Sequence, residues 1–155
     1  MGLYDFTFYD LIMRNNIIYN NKVAYVENDN RSFSFVQYKE EVDLLARGLQ
    51  ELGVKKGDRI GVIGRNCIEY FLLYGAAAAL GAIIVPINWR LSRKEIADNL
   101  NDAEPVLLFV DKEFQETIES LKAGIPSVKN YFDLGIEKGH FLEFESLGDY
   151  GRLTE

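Results

Sequence analysis

An α/β fold, with a mostly parallel sheet, helices on both faces and an N-terminal β-hairpin, is predicted by three features of the chain. Short β-branched runs at Arg59 to Ile63, Ala82 to Pro86 and Pro105 to Val110 alternate with segments of helical period. Turn and cap residues stand at the changes of period. The runs are apolar at nearly every position, as a strand covered on both faces requires. The β-α-β-α-β-α order then gives a mostly parallel sheet with helices on both sides.

The elements follow in order. Residues 7 to 19 read as a helix with Phe8, Leu11, Ile12 and Ile18 on one apolar side. Val23 to Val26 and Arg31 to Phe33 form a hairpin over about residues 22–34, turned by Asn28-Asp29-Asn30, which tolerate left-handed backbone. Ser34 and Gln37 have capping-box spacing. The helix that follows carries Tyr38, Val42, Leu45, Leu49 and Leu52 as one stripe, and Gly53 suits its C-terminus. The alternating region spans about residues 59–134. Its helices run from Ile68 to Leu80 with Asn66 as N-cap, from the capping box Ser92 to Glu95 as far as about Asn101, and around Phe114, Ile118 and Leu121. A last strand covers Tyr131 to Leu134. Residues 1–134 therefore form one α/β unit, and 135–155 an irregular tail. In that tail Phe141, Leu142, Phe144 and Leu147 are spaced for a short amphipathic helix, with Gly148 to Glu155 as linker.

Composition narrows the function. The 155 residues are 48% hydrophobic, with 9 Tyr and 10 Phe, enough for a core. A net charge of -7 repels phosphate backbones and argues against nucleic-acid binding. Lys55-Lys56 and Arg90 with Arg93-Lys94 are short, solvated basic spots. With Cys67 and His140 the only residues of their kinds, neither a disulfide nor a zinc site is expected, and a reducing cytoplasm fits. The sequon Asn30-Arg31-Ser32 is then incidental, and Met1 to Arg14 has no signal-peptide core. Tyr70 to Trp89 is uncharged and of bilayer-spanning length, but its Leu/Ala-rich half ends at Gly81 and its β-branched half at Pro86. A buried helix followed by a buried strand is expected, with no transmembrane segment.

No nucleophile stands out. Gly61 to Asn66 is a strand-to-helix turn without dinucleotide glycine spacing. Cys67 opens a helix but has only the peripheral His140 as a partner, so it reads as a small core hydrophobe and His140 as an exposed loop residue. No two carboxylates are isolated in apolar surroundings. Asn88-Trp89-Arg90 lies past the C-terminal end of a parallel strand, where open α/β sheets bind ligands. A guanidinium there grips phosphate or carboxylate. Alternatively Asn88 caps backbone, Trp89 covers the sheet edge and Arg90 pairs with Glu95. Spacing alone favours the second reading.

Several segments together resemble the adenylate-forming ligases, the AMP-forming acyl-CoA synthetase family. These are Gly57-Asp58-Arg59, Asn66 with Glu69-Tyr70-Phe71, Gly81 through Pro86 to Leu91, and Asp102 to Pro105, within Val23 to Leu121. The resemblance implies the N-terminal part of that fold. It also implies a parent enzyme that activates a carboxylic acid, fatty or aryl, with ATP and Mg2+, and passes the acyl group to coenzyme A. The family's phosphate loop, acidic motif, ribose Asp and mobile-domain Lys do not occur here. The chain is thus expected to be an N-terminal fragment, inactive alone, whose tail leads toward the phosphate loop, and no catalytic residue is assigned. Arg90 matches the Arg of the family's Pro-x-Asn-x-Arg loop, which implies a place near the nucleotide part of coenzyme A. Self-association through surfaces exposed by truncation is expected. The alternative is a stand-alone truncated paralogue acting as a binding or oligomerisation module.

Overall fold

The computed structural model describes residues 6–27, 31–135 and 137–148. The anticipated turn at Asn28-Asp29-Asn30, the first residue of the sequon and the linker beyond Gly148 lie outside them.

Helix α1 (Phe8–Tyr19) opens on a capping box in which Thr7 and Asp10 exchange bonds. Of its four anticipated apolar residues only Ile12 is buried, while Phe8 and Ile18 are 43% and 53% exposed. The helix meets the rest of the fold along a narrow edge, where Ile12 reaches the glycine at Gly75. Strands β1 (Val23–Val26) and β2 (Ser32–Ser34) pair antiparallel in a sheet of their own. Helix α2 (Phe35–Glu51) starts at the Ser34/Gln37 capping box and buries Tyr38, Val42, Leu45 and Leu49 of the expected stripe, while Leu52 falls at the C-cap and is half-buried. Tyr38 donates its hydroxyl to the Phe71 carbonyl at 2.7 Å, and its ring meets Tyr25 at 4.6 Å, fixing the hairpin over α2.

Strands β3 (Arg59–Ile63), β4 (Ile83–Ile87), β5 (Leu107–Asp111) and β6 (Asn130–Leu134) form one parallel sheet in the order β4-β3-β5-β6. Helices α3 (Ile68–Leu80), α4 (Arg93–Ala103) and α5 (Gln115–Leu121) make the crossovers. Alternate residues of the central strands feed two cores. Ile60, Val62, Leu107 and Phe109 face α2 and α3, while Ile63, Leu108 and Val110 face α4 and α5. This two-sided burial is why β3 and β5 read as unbroken apolar runs. The Tyr70 to Trp89 stretch is α3 followed by β4. No helix among the described residues is long and apolar enough to cross a membrane.

Two local expectations are corrected. Asn66 does not cap α3. Cys67 takes the cap position without a side-chain bond, and the first helical N–H, of Ile68, donates instead to Glu27 Oε1 at 3.3 Å. The tail residues do not share one amphipathic helix. Leu142 lies beside β6, donating to the Tyr131 carbonyl at 3.1 Å and accepting from Asp133 N–H at 2.8 Å. It stays 51% exposed, while Phe144 and Leu147 turn into the core. An open strand edge offers unpaired backbone groups, and here that offer outweighs the helical period.

The connection after β6 is held by a buried polar pair. The Asp133 carboxylate accepts from Gln115 Nε2 at 2.6 Å, Gly139 N–H at 2.7 Å and Phe141 N–H at 3.3 Å. Gln115 Oε1 accepts from His140 N–H at 2.9 Å. Both side chains are buried, and these bonds offset the cost of removing them from water.

Candidate functional site at the C-terminal edge of the sheet

The chain leaves β3 toward β4 on one side, then crosses to β5 on the other. The connections diverge at the C-terminal ends of β3 and β5, the switch point at which open α/β sheets form a crevice. A cavity of about 520 Å³ lies there, bounded by Arg65, Asn66, Asp111, Lys112 and Gly135. Gly64 allows the loops to converge, since a Cβ on it would lie 2.6 Å from Leu134 Cδ2 and 2.8 Å from Asp111 Cβ. Two ion pairs lace the rim: Arg65 with Glu113 at 2.8 Å and Lys112 with Glu137 at 3.7 Å.

The cavity wall holds a charged cluster that sequence reasoning missed. Arg31 of the hairpin bonds Glu69 through Nη1 at 2.5 Å and Nη2 at 3.3 Å, and also bonds Glu27. Glu69 is 6% exposed. The fold brings the part-exposed Glu27 and the nearly buried Glu69 onto one guanidinium, a gathering of charge that no local spacing announces. The bonds to Glu69 and Glu27 raise the Arg31 pKa against the opposing effect of burial. One signal in the sequence was available: Glu69 is the only charged residue of α3, near the N-terminus of an otherwise uncharged helix. Its partners were hidden, since they lie about 40 residues earlier, just past the end of β1 and just before β2. Cys67 sits beside this cluster, and burial followed by the Glu69 charge pushes its thiol up to about 12. It is a protonated thiol at neutral pH, in accord with a packing role.

Asn88, Trp89 and Arg90 follow β4 at the same edge. Asn88 Oδ1 accepts the Arg90 N–H at 3.0 Å, so the asparagine caps backbone. The Trp89 ring packs against Phe114 at 5.8 Å. Arg90 does not pair with Glu95, whose carboxylate is taken by Ser92 at 2.9 Å and 2.7 Å in the capping box. Its guanidinium instead lies 4.0 Å over the Trp89 ring, exposed to solvent, and Arg65 approaches the same ring at 5.6 Å. The structure therefore joins Arg90 to Arg65 through one indole and brings both to the switch-point edge. His140 lies elsewhere, against Phe141 and 3.8 Å from Glu119. Among the described residues no group of three His, Cys, Asp or Glu converges to hold a metal ion.

Comparison with known proteins fits this architecture. The chain is 31% identical over 98 residues to a fatty acid–[acyl-carrier-protein] ligase of Streptomyces coeruleorubidus, covering 63% of this chain and 19% of that protein. It is 31% identical over 121 residues to the crotonobetaine/carnitine–CoA ligase of Salmonella paratyphi A, covering 76% of this chain and 23% of that protein. The crystal structure of an anthranilate CoA ligase in complex with anthranoyl-AMP superposes with a TM-score of 0.85 at 29% identity, over 99% of this chain and 28% of that one. The chain thus spans about a fifth to a quarter of the curated relatives it matches, and its fold is that of the corresponding part of the adenylate-forming ligases. The profile of the family described as AMP-binding enzyme matches residues 15–146, so the chain belongs to that family.

Proposed function

We propose that the chain is the N-terminal part of an AMP-forming acid–thiol ligase of the cytoplasm. The parent would activate a fatty or aryl carboxylic acid with ATP and magnesium, release pyrophosphate and pass the acyl group to coenzyme A. The observation that carries this reading is the family match across residues 15–146, together with relatives named as ligases of acids with coenzyme A or an acyl-carrier protein. The role of these residues is architectural: they supply sheet and helices and present the switch-point edge. The chain alone is expected not to adenylate an acid.

Arg90 is the residue proposed to meet coenzyme A. Its guanidinium carbon lies 4.0 Å from the centre of the Trp89 ring, and no carboxylate among the described residues lies within ion-pair distance of it. An exposed, pre-oriented cation suits an anionic nucleotide group, because little side-chain freedom is lost on contact. Magnesium is assigned to no residue of this chain. In the full-length enzyme, Arg90→Ala is expected to raise KM for coenzyme A about tenfold, the loss of one charge-assisted contact, and to leave KM for ATP unchanged. Steady-state kinetics with each substrate varied checks this, and unchanged coenzyme A kinetics would refute the assignment.

The same reading holds that surfaces meant for the rest of the enzyme drive self-association of the isolated chain. Met13, Ile17, Val23 and Val26, between 42% and 78% exposed, are the residues for it. Sedimentation is expected to show mass rising with concentration; a monomer throughout would contradict it.

A further inference from the structure

Two arginines from different connections share one indole. The guanidinium carbon of Arg90, just past β4, lies 4.0 Å from the centre of the Trp89 ring, and that of Arg65, just past β3, lies 5.6 Å from it. Their backbones are fixed. Arg65 N–H donates to Asp111 Oδ2 at 3.5 Å and Arg90 N–H to Asn88 Oδ1 at 3.0 Å, while Trp89 leans on Phe114 at 5.8 Å. Two cations so placed repel each other, and the π faces of the indole offset part of that cost. Arg65 also meets Glu113 through Nη2 at 2.8 Å, but both side chains are largely exposed. A pair so open to water holds weakly. A guanidinium has five N–H donors, so most of the fork is left for a ligand.

We propose, resting on the reading of Arg90 as the residue that meets coenzyme A, that Arg65 is the second cation of that contact and determines its specificity. Together the two arginines take up a phosphomonoester, so the site prefers a nucleotide thiol that carries one over the same thiol without it. Charge and geometry select this group. A phosphomonoester carries about −1.5 to −2 charge at neutral pH and presents three acceptor oxygens, enough for two planar forks. A phosphorus within a diester linkage keeps less charge and fewer free oxygens, and gains less from a second cation. Trp89 touches no phosphate in this arrangement. It is a positioning residue that sets the two guanidiniums before the ligand arrives, so less freedom is lost on contact.

The test compares coenzyme A with dephospho-coenzyme A, which lacks the phosphomonoester, in the full-length enzyme. The readout is the ratio of their kcat/KM values, which a general loss of fold leaves unmoved because it lowers both. The unsubstituted enzyme is expected to prefer coenzyme A about tenfold or more, the worth of one charge-assisted contact. Arg65→Gln should reduce that ratio about fivefold or more. Trp89→Leu should reduce it as well, and Trp89→Phe, which keeps an aromatic face, should retain most of it. An unsubstituted enzyme indifferent to the phosphomonoester, or a ratio unmoved by Arg65→Gln or by Trp89→Leu, would overturn the proposal. If Arg90→Ala still raised KM for coenzyme A in that case, the reading of Arg90 would stand. Coenzyme A kinetics indifferent to Arg90→Ala, or no turnover with coenzyme A at all, would remove that reading and the role of Arg65 with it.

Discussion

Gly48→Ala is expected to destabilise the chain by about 2 kcal/mol, the range for forcing extra volume into a filled interior, although alanine is the better helix former by about 1 kcal/mol. The reason is a close approach between α2 and the tail. A Cβ on Gly48 would lie 2.0 Å from the Leu147 carbonyl oxygen and 2.8 Å from its carbonyl carbon. Those are backbone atoms, so no rotamer change relieves the clash and the segment itself must shift. Leu147 is 0% exposed, and Phe144 meets the Phe109 ring edge-on at 5.7 Å. Moving the segment uncovers both. Urea unfolding followed by circular dichroism measures the change, and a stability equal to or above that of the parent chain would show that the contact is not closed in solution.

Replacing Arg31 by methionine is expected to cost about 2 kcal/mol, between an exposed and a fully buried ion pair, because Arg31 and Glu27 are part-exposed while Glu69 is nearly buried. The substitution keeps much of the aliphatic volume and removes the one cation that Glu27 and Glu69 share. Glu69, 6% exposed, would be left as a carboxylate beside another carboxylate with little access to water. The loss should be carried by the hairpin first, because Arg31 and Glu27 tie β1 and β2 to the start of α3. Neutralising all three positions, with Glu27→Gln and Glu69→Gln added to Arg31→Met, should return a large part of the loss, since no buried charge then lacks a partner. The same denaturation experiment decides it. A loss below about 1 kcal/mol, the value of an exposed pair, would mean that the cluster is effectively solvated.

Much of the fold was legible because its signals are local. Strand β3 and helix α3 occupy the residues expected from their period, and both Ser-led capping boxes form as spaced. A cap and its partner lie three residues apart, so the sequence contains the whole interaction. Features that depend on remote chain segments were not legible. Glu27 displaces Asn66 as the partner of the α3 N-terminus, and nothing near Asn66 announces it. Leu142 leaves the helical pattern for the β6 edge, a choice visible only once β6 is known to be an outer strand. Gly48 looks like an ordinary interruption in a helix until Leu147 is seen against it. At the candidate site, Asn88 caps backbone as one reading held, but the proposed Arg90–Glu95 pair loses to the capping box. The aromatic neighbour Trp89 takes Arg90 instead. The family motifs drew attention to this edge of the sheet; the junction of Arg65, Trp89 and Arg90 needed the strand order.

The proposed ligase chemistry is tested most directly by acid-dependent exchange of labelled pyrophosphate into ATP. The assay would compare the full-length protein that carries these residues with the 155-residue chain, across fatty and aryl acids. Exchange by the full-length protein with at least one acid, and none by the chain alone, is the predicted result. Exchange by the chain alone, or none by the full-length protein with any carboxylic acid, would contradict it.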